Sequence, residues 1–175
     1  MRLFIFFILL LSVHVVYAEP TVSEPPLSEQ SKKHIAHTLE EILGDKDITQ
    51  QQYKQAIVWL NSSPCDGVDR SLTESRKAEL ASAIAKQEKL KTVDVFQSFK
   101  IEGWFIIYVN TYISDEPYLF YSSNPVTDKR PVTAWSGAAT IFETTDIERW
   151  VLQNAPGIPP RLASCFAWHV TLNRE

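Results

Sequence analysis

An α+β fold, with helices first and a mainly antiparallel sheet after them, is what this 175-residue sequence predicts. Two observations carry the prediction. Apolar residues recur at helical spacing up to about residue 90 and alternate with period two from about residue 92. The alternating runs then follow one another across short turns, as successive antiparallel neighbours do. The expected architecture is N-terminal helices, a four- to five-stranded sheet with helices on one face, and one further helix before the last strand.

Residues 1–18 read as a secretory signal peptide. Met1 and Arg2 supply a minimal positive start, Leu3 to Val16 is almost wholly apolar, and Val16 and Ala18 place small residues where a signal peptidase cuts, after Ala18. The apolar run is shorter than the roughly 20 residues of a spanning helix, so no stable membrane insertion is expected after cleavage. Residues 19–30, EPTVSEPPLSEQ, lack periodicity and have the composition of a disordered leader, which leaves 31–175 as a single α+β domain.

Within that domain, Ile35, Leu39, Ile42 and Leu43 mark a first helix stopped by Gly44. Ile48-Thr49 opens a second, whose stripe is Tyr53, Ala56, Ile57 and Leu60 and which Pro64 and Gly67 halt. Ser71-Leu-Thr-Glu74 is a capping-box pattern before a third helix, roughly 73–90, with Leu80, Ala81 and Ile84 on one face. In the first strand Val93, Val95, Gln97 and Phe99 alternate with Asp94, Phe96, Ser98 and Lys100, and Glu102-Gly103 turns the chain into WFIIYVNTY at 104–112. Both faces of that second run are apolar or aromatic, which marks a central strand. ISDEP turns again into YLFYSS at 118–123, and the polar NPVTDKRP loop leads to VTAWSGAATIF at 132–142, with Gly137 as a bulge. Thr145-Asp-Ile-Glu148 caps a further helix that presents Ile147, Trp150 and Val151 inward and ends at NAPGIPP. In the closing CFAWHVTL, Phe166, Trp168 and Val170 alternate with Cys165, Ala167 and His169, and these aromatic and β-branched types favour a last strand over a short helix.

Charge narrows the partners. With 17 basic against 21 acidic residues, a net charge of −4, and no basic cluster beyond KK and DKR, the chain lacks the patch that nucleic acid or an anionic membrane requires. The remaining partner classes are a protein or small-molecule ligand in the cell envelope. The chain has only two cysteines, Cys65 and Cys165. In the oxidising compartment a signal peptide leads to, an even count predicts a disulfide, here between residues 100 positions apart, and a periplasmic or secreted location.

Four candidate constellations compete with plain structure. Cys165 and His169 would be neighbours, about 5–6 Å apart, on a helix; on the expected strand they stand about 13 Å apart and cannot cooperate. His34, His37 and Glu41 share one face of the first helix and have the chemistry of metal ligands, but a solvated polar face explains them equally, and no metal is expected. Asp115, Glu116, Glu143, Asp146 and Glu148 would serve a hydrolase only if the fold gathered them, since turns and helix starts favour acids anyway. No G-x-S-x-G, P-loop or G-x-G-x-x-G occurs, so no catalytic residue is assigned and no cofactor is expected. The fourth feature is aromatic density at 104–135. Rings of this amphipathic kind are enriched at interfaces, though they also fill sheet faces. The candidate binding residues are Tyr108, Asn110, Tyr112, Tyr118, Tyr121 and Trp135.

The C-terminal run WSGAATIFETTDIERWVLQNAPGIPPRLASCFAWHVT is similar to small, signal-bearing, uncharacterised proteins of Gram-negative bacteria. The layout as a whole resembles periplasmic immunity proteins and enzyme inhibitors, which are small, often disulfide-bridged and free of catalytic constellations. The resemblance implies an inhibitor or immunity factor, while the signal, the disulfide, the aromatic strands and the empty motif search point to an exported protein that binds a protein or small ligand through the aromatic-rich sheet face. It transfers no site residue. The alternative is a cell-envelope hydrolase whose acid and base residues converge only in the fold.

Overall fold

Three helices enter first in a computed structural model of the chain, which describes residues 28–42 and 48–172. The expected signal peptide at 1–18, the part of the expected leader before Ser28, Leu43, the Gly44 stop and the side chains of Leu39, Glu41 and Ile42 lie outside the described residues. Helix α1 spans Glu29–Ile42, so the last leader residues, Glu29 and Gln30, are already helical. Helix α2, Gln50–Leu60, starts at a reciprocal cap: Gln52 N donates to Thr49 Oγ1 at 3.2 Å and Thr49 N to Gln52 Oε1 at 2.9 Å. Helix α3, Glu74–Glu88, is capped by Thr73, which accepts from Arg76 N at 3.2 Å. Ser71, expected to cap it, donates to Asp69 at 2.6 Å and shapes the preceding turn.

The sheet follows in the simple order β1-β2-β3-β4, every pair antiparallel. Its strands are β1 (Asp94–Ile101), β2 (Trp104–Asn110), β3 (Tyr118–Tyr121) and β4 (Thr133–Trp135). The β1–β2 turn has φ of 50° at Glu102 and 85° at Gly103, the paired left-handed geometry of a two-residue hairpin that matches strand twist. β4 is a three-residue edge, and Gly137 lies beyond it in the connection rather than in a bulge. A short 3-10 turn, Ile141–Glu143, leads to α4 (Thr144–Asn154) and then to α5 (Pro160–Leu172). The cap before α4 is Thr140 with Glu143, not Thr145 with Glu148: Thr140 N donates to Glu143 Oε2 at 2.8 Å.

The α+β class and the sequential antiparallel sheet are as expected, with three corrections. The last element is helix α5 and not a strand. Pro160 suits a first helical turn, and Leu162, Ala163 and every residue from Cys165 to Val170, both alternating halves alike, are buried. A helix wrapped on all sides needs no amphipathic stripe, so its sequence carries no 3.6-residue signature. Second, helices cover both faces of the sheet. Phe99, Trp104, Ile106, Tyr118 and Phe120 pack against α4 and α5, while Val95, Phe105, Ile107, Leu119 and Tyr121 pack against Leu80 and Ile84 of α3. Third, the register shifts between Val95 and Gln97, leaving Phe96 as an extra residue. That bulge sends Val95 to the α3 side and Phe99 to the α5 side, so the strand does not keep one face as simple alternation requires.

Helix α5 is the centre of the packing. The Phe166 ring takes Tyr118, Phe120 and Trp135 edge-on at centroid distances of 5.1, 4.9 and 5.5 Å. On its far side Trp168 Nε1 donates to the carbonyl of Trp59 in α2 at 3.1 Å, and Thr171 meets Thr144 of α4 at 2.9 Å. Cys65 and Cys165 form the expected disulfide, with S–S 2.09 Å, tying the turn after α2 to α5. No helix among the described residues is long and apolar enough to cross a membrane.

Candidate binding surface

The six expected binding residues do not share one surface. Tyr118 and Tyr121 are wholly buried and belong to opposite sides of the sheet. Tyr118 stacks on Tyr108, with centroids 4.3 Å apart, and lies beneath α5. Tyr121 donates from its hydroxyl to Gln87 of α3 at 2.8 Å, and its burial raises the phenol far above its ordinary range. Trp135 is half-buried against Phe166. Tyr118 and Tyr121 are reached only by removing a helix.

Tyr108, Asn110 and Tyr112 are different, because they meet at one open end of the sheet. Strand pairing sets Asp94 opposite Asn110, and the bulge pushes Phe96 out beside Tyr108, with ring centroids 5.3 Å apart. Tyr112 follows the end of β2 with φ of 60°, a left-handed conformation that a bulky side chain rarely takes. Two contacts hold it there: Tyr112 N donates to Asn110 Oδ1 at 2.8 Å, and its hydroxyl donates to the Asp94 carboxylate. That carboxylate raises the Tyr112 phenol above its ordinary value, because the hydrogen bond to Asp94 favours the protonated hydroxyl.

The result is a rim of exposed apolar groups: Phe96 is 44% exposed, Tyr112 60% and Ile113 75%. The adjoining β2–β3 loop carries Asp115 and Glu116, which form no ion pair among the described residues. Beside the rim, a groove of about 320 Å³ runs between α3 and the start of β1, with Lys77, Ala78 and Ala81 on one wall and Asp94 and Phe96 on the other. Phe96 and Asp94 escape a reading of the sequence for different reasons. Phe96 looks like an ordinary alternating residue until the bulge expels it, and Asp94 matters only through its contact with Tyr112.

The other constellations fall elsewhere. On α5, Cys165 and His169 are helical neighbours after all, yet the sulfur is bonded to Cys65. The His169 imidazole is fully buried, sharing a 2.7 Å hydrogen bond between Nε2 and Gln97 Oε1 and leaning on Phe99 at 4.8 Å. A general base needs access to a substrate, and this ring is fully buried. Glu143 caps the turn before α4, Asp146 pairs with Arg149 at 2.7 Å, and Glu148 accepts from Ser164, so these acids have local structural partners. His34 and His37 are exposed on α1. Among the described residues no group of three His, Cys, Asp or Glu side chains is placed to hold a metal ion, and the Glu41 side chain lies outside them.

Comparison with known protein families, with curated proteins and with solved structures finds no match to this chain.

Proposed function

We propose that this chain is an exported, non-enzymatic binding protein, of the inhibitor or immunity-factor kind, that grips a protein partner through the rim formed by Phe96, Tyr108, Asn110, Tyr112 and Ile113. The observation that supports this reading best is Tyr112. A bulky residue is held in a costly backbone conformation by two polar contacts, and the effect is to present an aromatic ring to solvent instead of burying it. Interface anchors have this character: rigid, amphipathic and central to an apolar patch with a polar surround. The free acids Asp115 and Glu116, and the acidic balance of the whole chain, make a Lys- or Arg-bearing partner the complementary one. The disulfide is compatible with an oxidising compartment, and the apolar N-terminus with export into it.

The test is recovery of bound partner from envelope extract by the immobilised chain. The paired substitution Phe96→Ala with Tyr112→Ala is expected to abolish recovery, whereas Val58→Ala, at an exposed position on α2, leaves it unchanged. Higher salt is expected to weaken capture, because rim charges are screened. Undiminished recovery by the folded double variant would remove the rim from the account.

A further inference from the structure

The loop joining β3 to β4, residues 122–132, borders an open surface depression of about 740 Å³ that shares no residue with the rim. Its shape is held from beneath and within. Gln87 of α3 donates through Nε2 to the carbonyls of Pro125 at 2.6 Å and Asp128 at 2.9 Å, while its own oxygen accepts from buried Tyr121. Asn124 accepts from Thr127 N and Asp128 N at 3.0 Å through its carbonyl, and its side-chain oxygen accepts from Arg76 at 2.9 Å. The one acid on the depression's wall, Asp128, is occupied: Ser123 Oγ donates to it at 2.7 Å and Lys129 N at 3.0 Å.

Lys129 and Arg130 also line the depression, both exposed, and neither side chain makes an ion pair among the described residues. Two adjacent cations outnumber the one acid, Asp128, on the wall of a loop that half-buried Gln87 braces, and so form a locally positive locus on a chain with net charge −4. Ser122 adds a hydroxyl to the same wall. A guanidinium fork, an ammonium and a hydroxyl are together suited to a phosphate group. The depression opens to solvent, which leaves room for a phosphate carried on an organic body.

We propose that this depression binds a phosphate monoester through Lys129, Arg130 and Ser122, independently of the partner rim. The experiment is a two-dimensional amide NMR titration of the intact chain at constant ionic strength, first with inorganic phosphate and then with glycerol phosphate. Saturable shifts confined to 122–132 are expected, tighter for the monoester, and absent when chloride replaces phosphate. The double variant Lys129→Gln with Arg130→Gln should weaken binding by about tenfold or more, with unmoved Gln87 and Tyr121 signals showing the loop intact. Cosedimentation with phosphatidic acid vesicles, against phosphatidylcholine alone, separates the two sources. Vesicle binding identifies a lipid headgroup, and monoester binding without it identifies a free metabolite. No saturable shift in the unaltered chain, or equal affinity in the double variant, would overturn the proposal.

Discussion

At the scale of single residues, the two contacts on Tyr112 separate a structural role from a functional one. A residue kept left-handed for stability should be missed when removed, but one kept there for display should not. Glycine takes this backbone conformation freely, so relief of strain in Tyr112→Gly offsets the lost bond to Asp94. The melting temperature of that variant is expected to stay within about 3 °C of the parent, measured by circular dichroism. Asp69 offers a second residue-scale test. Burial alone would raise its carboxyl, but the hydroxyl and N–H of Ser71 and the charge of Lys100 outweigh burial and hold it below the ordinary carboxylate value. A lowered folded value means a contribution present above the unfolded value, about 3.9, and lost as pH falls through the folded one. The stability gap between the parent and Asp69→Asn should therefore be widest near neutrality and close between about pH 5 and pH 2 in denaturant titrations. A gap that widens with acid would reverse the assignment.

At the scale of elements, β1 and α5 decide the architecture, and they were unequally legible. The Glu102-Gly103 hairpin, the Thr49 cap and the central position of β2 follow from local chemistry: left-handed turn residues, a short oxygen-bearing side chain, and apolar types on both faces. Helix α5 hides because it is covered on every side from Cys165 to Val170, which removes the helical period there and leaves a chance alternation of Phe166, Trp168 and Val170 that imitates a strand. The bulge at Phe96 hides because an extra residue is set by pairing across the sheet and not by any local preference. The rim inherits that difficulty. Tyr108, Asn110 and Tyr112 could be nominated by residue type, but Asp94 and Phe96 join them only through the pairing of β1 with β2. The weight carried by α5 is measurable. Phe166→Ala removes the ring that Tyr118, Phe120 and Trp135 all meet edge-on, and it should cost about 3–5 kcal/mol of unfolding free energy. A cost below about 1 kcal/mol would mean that the sheet and α3 fold without α5.

At the scale of the whole molecule, the chain is a sheet between two helical layers, closed by one covalent strap. The Cys65–Cys165 bond spans 100 positions and joins the turn after α2 to the central helix. Replacing both cysteines with alanine should lower unfolding free energy by about 2–5 kcal/mol, and the parent, denatured without reductant, should show no free thiol. This scaffold covers both sheet faces and so withdraws Tyr118 and Tyr121 from any partner, while one open end of the sheet keeps its aromatic groups in solvent. The account rests on that contrast between a closed core and a displayed rim. Its most direct test is the affinity of Tyr112→Gly for the partner recovered with the parent chain, measured on the same sample whose melting curve is recorded. A loss of about tenfold or more with an unchanged melting temperature is the predicted result. Equal affinity, or loss of affinity only in step with loss of folding, would contradict it.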